Sequence, residues 1–209
     1  MATRKKSWND ITVSDFQAIY KLESEDPEDR LLRLIALVNG IGYDDVLNMP
    51  ISELERHFGD IDFLQREPRI PLMRGSYELG GTRYRVHSKE MTTAQYIDFK
   101  QMVDSYAENL ARFLTIFLIP EGHKYGDGYD LDKAAQDISG MSITDARSVA
   151  DFFLTACALL TAISLRSSRR QIRRRIRRAR TKEERELLGR MMAEVESLRH
   201  TIGSALWRR

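Results

Sequence analysis

Residues 142–180 read SITDARSVADFFLTACALLTAISLRSSRRQIRRRIRRAR, and the change of rhythm inside this stretch decides how the chain is organised. Val149, Phe152, Phe153, Ala156, Leu159, Leu160 and Ile163 recur at steps of three and four, the spacing of a helix that buries one broad face. Ser142-Ile-Thr-Asp145 opens it, with Asp145 where a capping box places Glu. Beyond Leu165 the apolar positions thin to Ile172, Ile176 and Ala179, while nine Arg and no acid occupy the 15 residues from Arg166 to Arg180. A core helix therefore passes into a basic one. Thr181-Lys-Glu-Glu184 is a better capping box and predicts a new helix with Leu188, Met191, Val195, Leu198, Ile202 and Ala205 on a 3-4 repeat. The seam from Ala179, continued in the same rhythm, would land on Glu183 and Glu186. The phase breaks at the turn, which suits an antiparallel helical hairpin or two helices that each pack on a partner subunit.

Upstream of this stretch, Thr92 or Thr93 caps a predicted helix running to about Leu118, with Tyr96, Phe99, Met102, Val103, Tyr106, Leu110, Phe113, Leu114 and Phe117 at helical spacing. Tyr77-Glu-Leu79 and Thr82-Arg-Tyr-Arg-Val86 flank Gly80-Gly81 and predict a two-residue β-hairpin, since glycine supplies the positive φ such a turn needs. Tyr84 and Val86 fall on one face, Arg83 and Arg85 on the other. Residues 119–128 read as a loop, and Leu131 to Ile138 as a short helix ended at Gly140. Toward the start of the chain, Ser14 can cap a helix, Asp26-Pro27 opens another that closes at Asn39-Gly40, and shorter helices fit Tyr43 to Asn48 and Ser52 to Phe58. The expected fold is mainly α: a helical subdomain over 1–64, a linker at 65–76, a core of β-hairpin and long helices over 77–165, and an Arg-rich helical hairpin over 166–209.

Composition agrees with a helical chain. Gly and Pro together make 17 of 209 residues, below the average of about 12% for the pair, so many short strands are disfavoured. The single cysteine, Cys157, excludes an internal disulfide and a cysteine-cluster zinc site, and fits a reducing compartment. The basic start Met-Ala-Thr-Arg-Lys-Lys runs into Ser-Trp-Asn-Asp rather than an apolar segment, which predicts that the chain stays inside the cell. The most apolar stretch, Phe152 to Leu165, is 14 residues long, against about 20 for a membrane span, so no membrane association is expected.

No phosphate-binding loop, dinucleotide fingerprint, nucleophile elbow or His-Glu-x-x-His occurs. His57, His87, His123 and His200 fall in four separate predicted elements and read as solvated or core-edge histidines rather than metal ligands. Asp127, Asp130 and Asp132 are close together but lack EF-hand spacing, so turn and cap roles are expected. Cys157 lies inside the apolar run without a neighbouring cation and reads as an inert thiol. These observations predict a protein without enzymatic activity and without a cofactor.

The net charge of +2 hides an asymmetry: residues 165–209 hold 15 basic and 5 acidic residues, leaving 18 basic and 26 acidic for residues 1–164. Arg166, Arg169, Arg170, Arg173, Arg174, Arg175, Arg177, Arg178 and Arg180 can neutralise several phosphates, giving salt-sensitive contact with DNA without sequence specificity. No aromatic is interleaved, so stacking on single strands is not implied. The other reading, and the favoured one, is that the tract meets acidic protein surface, its own or a partner's, with the long Arg stems covering apolar area. The seam residues Ile172, Ile176, Leu188, Met191, Val195, Leu198 and Ile202 would carry the association, with another copy of the chain among the candidate partners.

Trp8-Asn-Asp-Ile-Thr-Val-Ser-Asp-Phe16, Val46-Leu-Asn-Met-Pro50 with Leu54 and Phe63-Leu64, the Tyr84 hairpin, Thr92-Thr-Ala-Gln-Tyr-Ile-Asp-Phe99, Gly128-Tyr-Asp130 and Ser148-Val-Ala-Asp-Phe-Phe-Leu154 together resemble uncharacterised morphogenesis proteins of tailed bacteriophages of Bacteroides-type hosts, among them tail assembly chaperones. The resemblance spans about residues 8 to 160 and contains no chemical motif. It implies a small helical protein, in the host cytoplasm or the virion, that binds other phage proteins such as the tape-measure protein or tail and neck components. A tail assembly chaperone would cover the apolar stripes of the tape-measure protein until tube subunits displace it. The Arg-rich end departs from that picture and keeps open a virion component near the portal, neck or tail that contacts DNA or neighbouring subunits.

Overall fold

The computed structural model describes residues 7–22, 26–88, 91–178 and 181–193, with the backbone alone at 160–165 and 178. The fold is mainly α. The helices are α1 (Val13–Tyr20), α2 (Pro27–Asn39), α3 (Tyr43–Leu47), α4 (Ile51–Ile61), α5 (Thr93–Met102), α6 (Leu110–Leu114), α7 (Leu131–Ser139), α8 (Ile143–Arg178) and α9 over 182–193. A small antiparallel sheet has the order β1 (Ser76–Leu79), β2 (Thr82–Val86), β3 (Leu118–Pro120). Residues 1–150 form one compact unit and residues 151–209 a second.

Local chemistry sets the helix ends. Asp26 accepts from the Glu28 amide at 2.9 Å with Pro27 in the first turn, while Gly40, at φ 64°, closes α2 and lets the Ile41 amide reach the Ala36 carbonyl at 3.0 Å. The α1 cap is Thr12 rather than Ser14, because Thr12 and Asp15 complete a reciprocal capping box. Asp145 does not cap α8 as expected; its carboxylate pairs instead with Arg74.

The Gly80-Gly81 turn has both residues at positive φ, 54° and 77°, and pairs Tyr77 with Tyr84. Both tyrosines point inward and are buried, and a Cβ on Gly80 would run into the Asp137 carboxylate. Arg83 and Arg85 lie outside, against Glu121.

The expected helix from Thr93 to Leu118 is not continuous. After α5 comes a 3-10 turn, Val103–Ser105, then α6, and the chain ends the region as β3. Along one helix Phe99 and Phe113 would stand about 21 Å apart; here their ring centroids are 5.8 Å apart. Asp104, Ser105 and Asn109 sit at the reversal, and their short polar side chains are the type that competes with the helical backbone. Folding back lets Phe99, Phe113 and Phe117 form one aromatic cluster and lets Leu118 and Ile119, the end of the apolar run, enter the sheet. Period alone cannot separate a buried strand from a buried helix in such a run.

Residues 67–74 carry no regular element, yet the segment is fastened at both ends. The Trp8 indole donates to the Arg66 carbonyl at 2.7 Å, and the Arg74 amide donates to the Tyr77 hydroxyl at 3.1 Å. The start of the chain is tied to the start of α8: the Val13 amide donates to the Met141 carbonyl at 2.9 Å, and the Ile143 amide to the Ile11 carbonyl at 2.8 Å. On α8 the buried apolar positions include Ala146, Val149, Ala150, Phe153, Leu154 and Cys157. Phe152 and Leu159, expected on that face, are exposed. The buried stripe keeps to one side of the helix, and both residues stand beyond its edge.

Candidate interaction surface

Within the first unit the reactive side chains serve structure. His57 Nδ1 lies 3.2 Å from Asp60, and the His123 ring lies 5.8 Å from Tyr129, tilted by 60°. Asp130 caps α7, accepting from the Asp132 and Lys133 amides at 2.9 and 3.0 Å, and Asp132 pairs with Arg112. Tyr84 donates to Asp137 at 2.7 Å and Tyr125 to Asp98; burial first, and then those carboxylates, push both phenols above their ordinary range. Among the described residues no group of three or more His, Cys, Asp or Glu could hold a metal. In the second unit, burial raises the Cys157 thiol, which disfavours the thiolate. No helix among the described residues is long and apolar enough to cross a membrane.

The second unit is built differently. Thr181 accepts from the Glu184 amide at 3.2 Å at the start of α9. Ile172 and Leu188 are buried against each other, with Ile176 and Met192 packed around them. Met191, expected in this seam, is instead 41% exposed. Ile172 and Ile176 are four residues apart, and Leu188 with Met192 matches that spacing on the facing helix. Met192 was legible only once the partner spacing was known. Val195, Leu198, Ile202, His200 and Arg180 lie outside the described residues, as does the Arg178 side chain.

The arginines of α8 divide around this seam. Arg169 is half-buried at its edge, while Arg166, Arg170, Arg173, Arg174, Arg175 and Arg177 are exposed. At 3.6 residues per turn, Arg166, Arg170, Arg173, Arg174 and Arg177 share an arc of about 100° and cover about 16 Å of helix; Arg175 stands on the other flank. Among the described residues, none of these six has a carboxylate at ion-pairing distance within its own unit. A helix can carry so many like charges because Arg has high helix propensity and elongation from an existing helix costs less than nucleation. Repulsion between Arg neighbours three and four apart opposes it by about 0.2–0.5 kcal/mol per pair, and a facing anion would remove that penalty. A scan against family models and searches of curated proteins and of solved structures return no match.

Proposed function

We propose that this is a non-enzymatic binding protein of tailed-phage morphogenesis, a tail assembly chaperone whose C-terminal hairpin holds another phage protein. The observation that supports this reading is the design of the hairpin. Its internal seam buries Ile172 and Leu188, while Arg166, Arg170, Arg173, Arg174, Arg175 and Arg177 of α8 form an exposed cationic surface. Such a narrow seam is what a helix pair uses for association, and too little to make a separate domain core.

A second reading, a virion component that contacts DNA near the portal, neck or tail, is favoured by the arc of Arg166, Arg170, Arg173, Arg174 and Arg177, which suits phosphates as well as carboxylates. Mass spectrometry of purified virions separates the two. A chaperone is absent from the particle, and a component is present in stoichiometric amount. A chain ending at Leu165 should still unfold cooperatively and lose its partner in co-purification from infected cells. Normal tail assembly with the shortened chain would overturn both readings.

A further inference from the structure

A second rhythm runs along α8, distinct from the seam that faces α9. Counted in steps of four and three, it passes through Phe152, Ala156, Leu159, Ile163, Arg166, Arg170, Arg173 and Arg177 without a break. This is the spacing at which one helix presents a continuous stripe to another. Phe152 and Leu159 are 42% and 56% exposed, large apolar side chains left outside by the fold, and Ala156 is half-buried. Arg166, Arg170, Arg173 and Arg177 are exposed. The stripe is apolar for its first half and cationic for its second, and spans about 37 Å from Phe152 to Arg177.

We infer that this stripe of α8 docks a helix from a different protein, about 25 residues long, whose facing positions are apolar beside Phe152 and Leu159 and acidic beside Arg166 to Arg177. The inference rests on the reading of the hairpin as a partner-binding device and names the partner's chemistry. Charge decides against the same stripe of a second copy. A parallel pair would stack four arginine layers on four arginine layers, and an antiparallel pair would set arginines against Phe152 and Leu159. Nucleic acid fits only half of the stripe, because phosphates answer the arginines and leave the apolar half without a partner. An acidic amphipathic helix answers both halves: its apolar end covers Phe152 and Leu159, and its Asp and Glu side chains accept from guanidinium groups in the two-pronged geometry that arginine favours.

The test uses the full-length protein and labelled peptides of about 28 residues, long enough to cover the stripe at helical rise. Their 4-3 positions carry Leu in one half and Glu in the other, in both chain directions, and a short DNA duplex serves as competitor. One of the two peptides should bind. The double variants Phe152→Ser with Leu159→Ser, and Arg170→Glu with Arg173→Glu, should each weaken it by at least about tenfold. Circular dichroism and melting temperature should stay those of the parent, since all four side chains are exposed. The first double variant should leave any DNA binding unchanged. Failure of both peptides to bind would overturn the inference. So would full peptide binding by the Phe152 and Leu159 variant, or DNA binding that displaces the peptide and depends on the arginines alone. If the peptides fail while tail assembly still requires residues 166–209, the stripe is wrong and the morphogenesis reading stands. If a peptide binds while the chain ending at Leu165 supports assembly, the morphogenesis reading alone is lost.

Discussion

Arginines of the two units stand in different surroundings. In the first, Arg33 stands beside Asp29, Arg74 beside Asp145, Arg83 and Arg85 beside Glu121, and Arg112 beside Asp132. In the second, six exposed arginines follow one another along a single helix without a carboxylate at pairing distance among the described residues of that unit. Folding sets a charge beside its counter-charge when the chain can supply one locally. An acid-free run on one helix places its charges by helical geometry alone, which suits a counter-charge brought by another molecule.

That contrast can be broken at its strongest point, the body's core. Phe113→Ala, at a fully buried ring whose centroid lies 5.8 Å from Phe99, 5.6 Å from Tyr106 and 5.4 Å from Phe117, should cost about 3–5 kcal/mol in denaturant unfolding. A parent-like midpoint would mean that the aromatic cluster carries little of the fold. Ile172→Ala removes half of the buried pair in the hairpin and should cost about 2 kcal/mol there. Amide exchange should rise over 166–193, and the protection of residues 35–38 and 110–119 should hold. If protection falls in both regions, the two units do not behave as separate compact bodies.

Smaller changes sharpen the comparison. Gly80→Ala forces a side chain into positive φ and against Asp137, for an expected loss of about 1–3 kcal/mol by thermal melting. Arg74→Gln removes an ion pair and a contact at 5.0 Å with the Tyr77 ring, and should cost about 1 kcal/mol. Arg170→Gln should change stability by less than about 0.5 kcal/mol, because this arginine is exposed and has no carboxylate at pairing distance among the described residues of its unit. Equal losses at Arg74 and Arg170 would erase the distinction between the two sets of arginines.

Much of this was legible in the residues. Asp26-Pro27 with Gly40, Gly80-Gly81, Asp130 before α7 and Thr181 before α9 mark their elements by local chemistry, since caps and tight turns are satisfied within a few residues. The mainly α character and the start of α9 after Thr181 follow from the same short-range rules. Tertiary structure decided the rest. The reversal between Phe99 and Phe113 and the third strand at Leu118–Pro120 exist because aromatic burial outweighs a continuous helical period, which a list of apolar positions cannot express. The exposure of Phe152 and Leu159 and the exchange of Met191 for Met192 were settled the same way. Periodicity tells which residues share a helix face, and only the neighbours that pack there decide which face is covered.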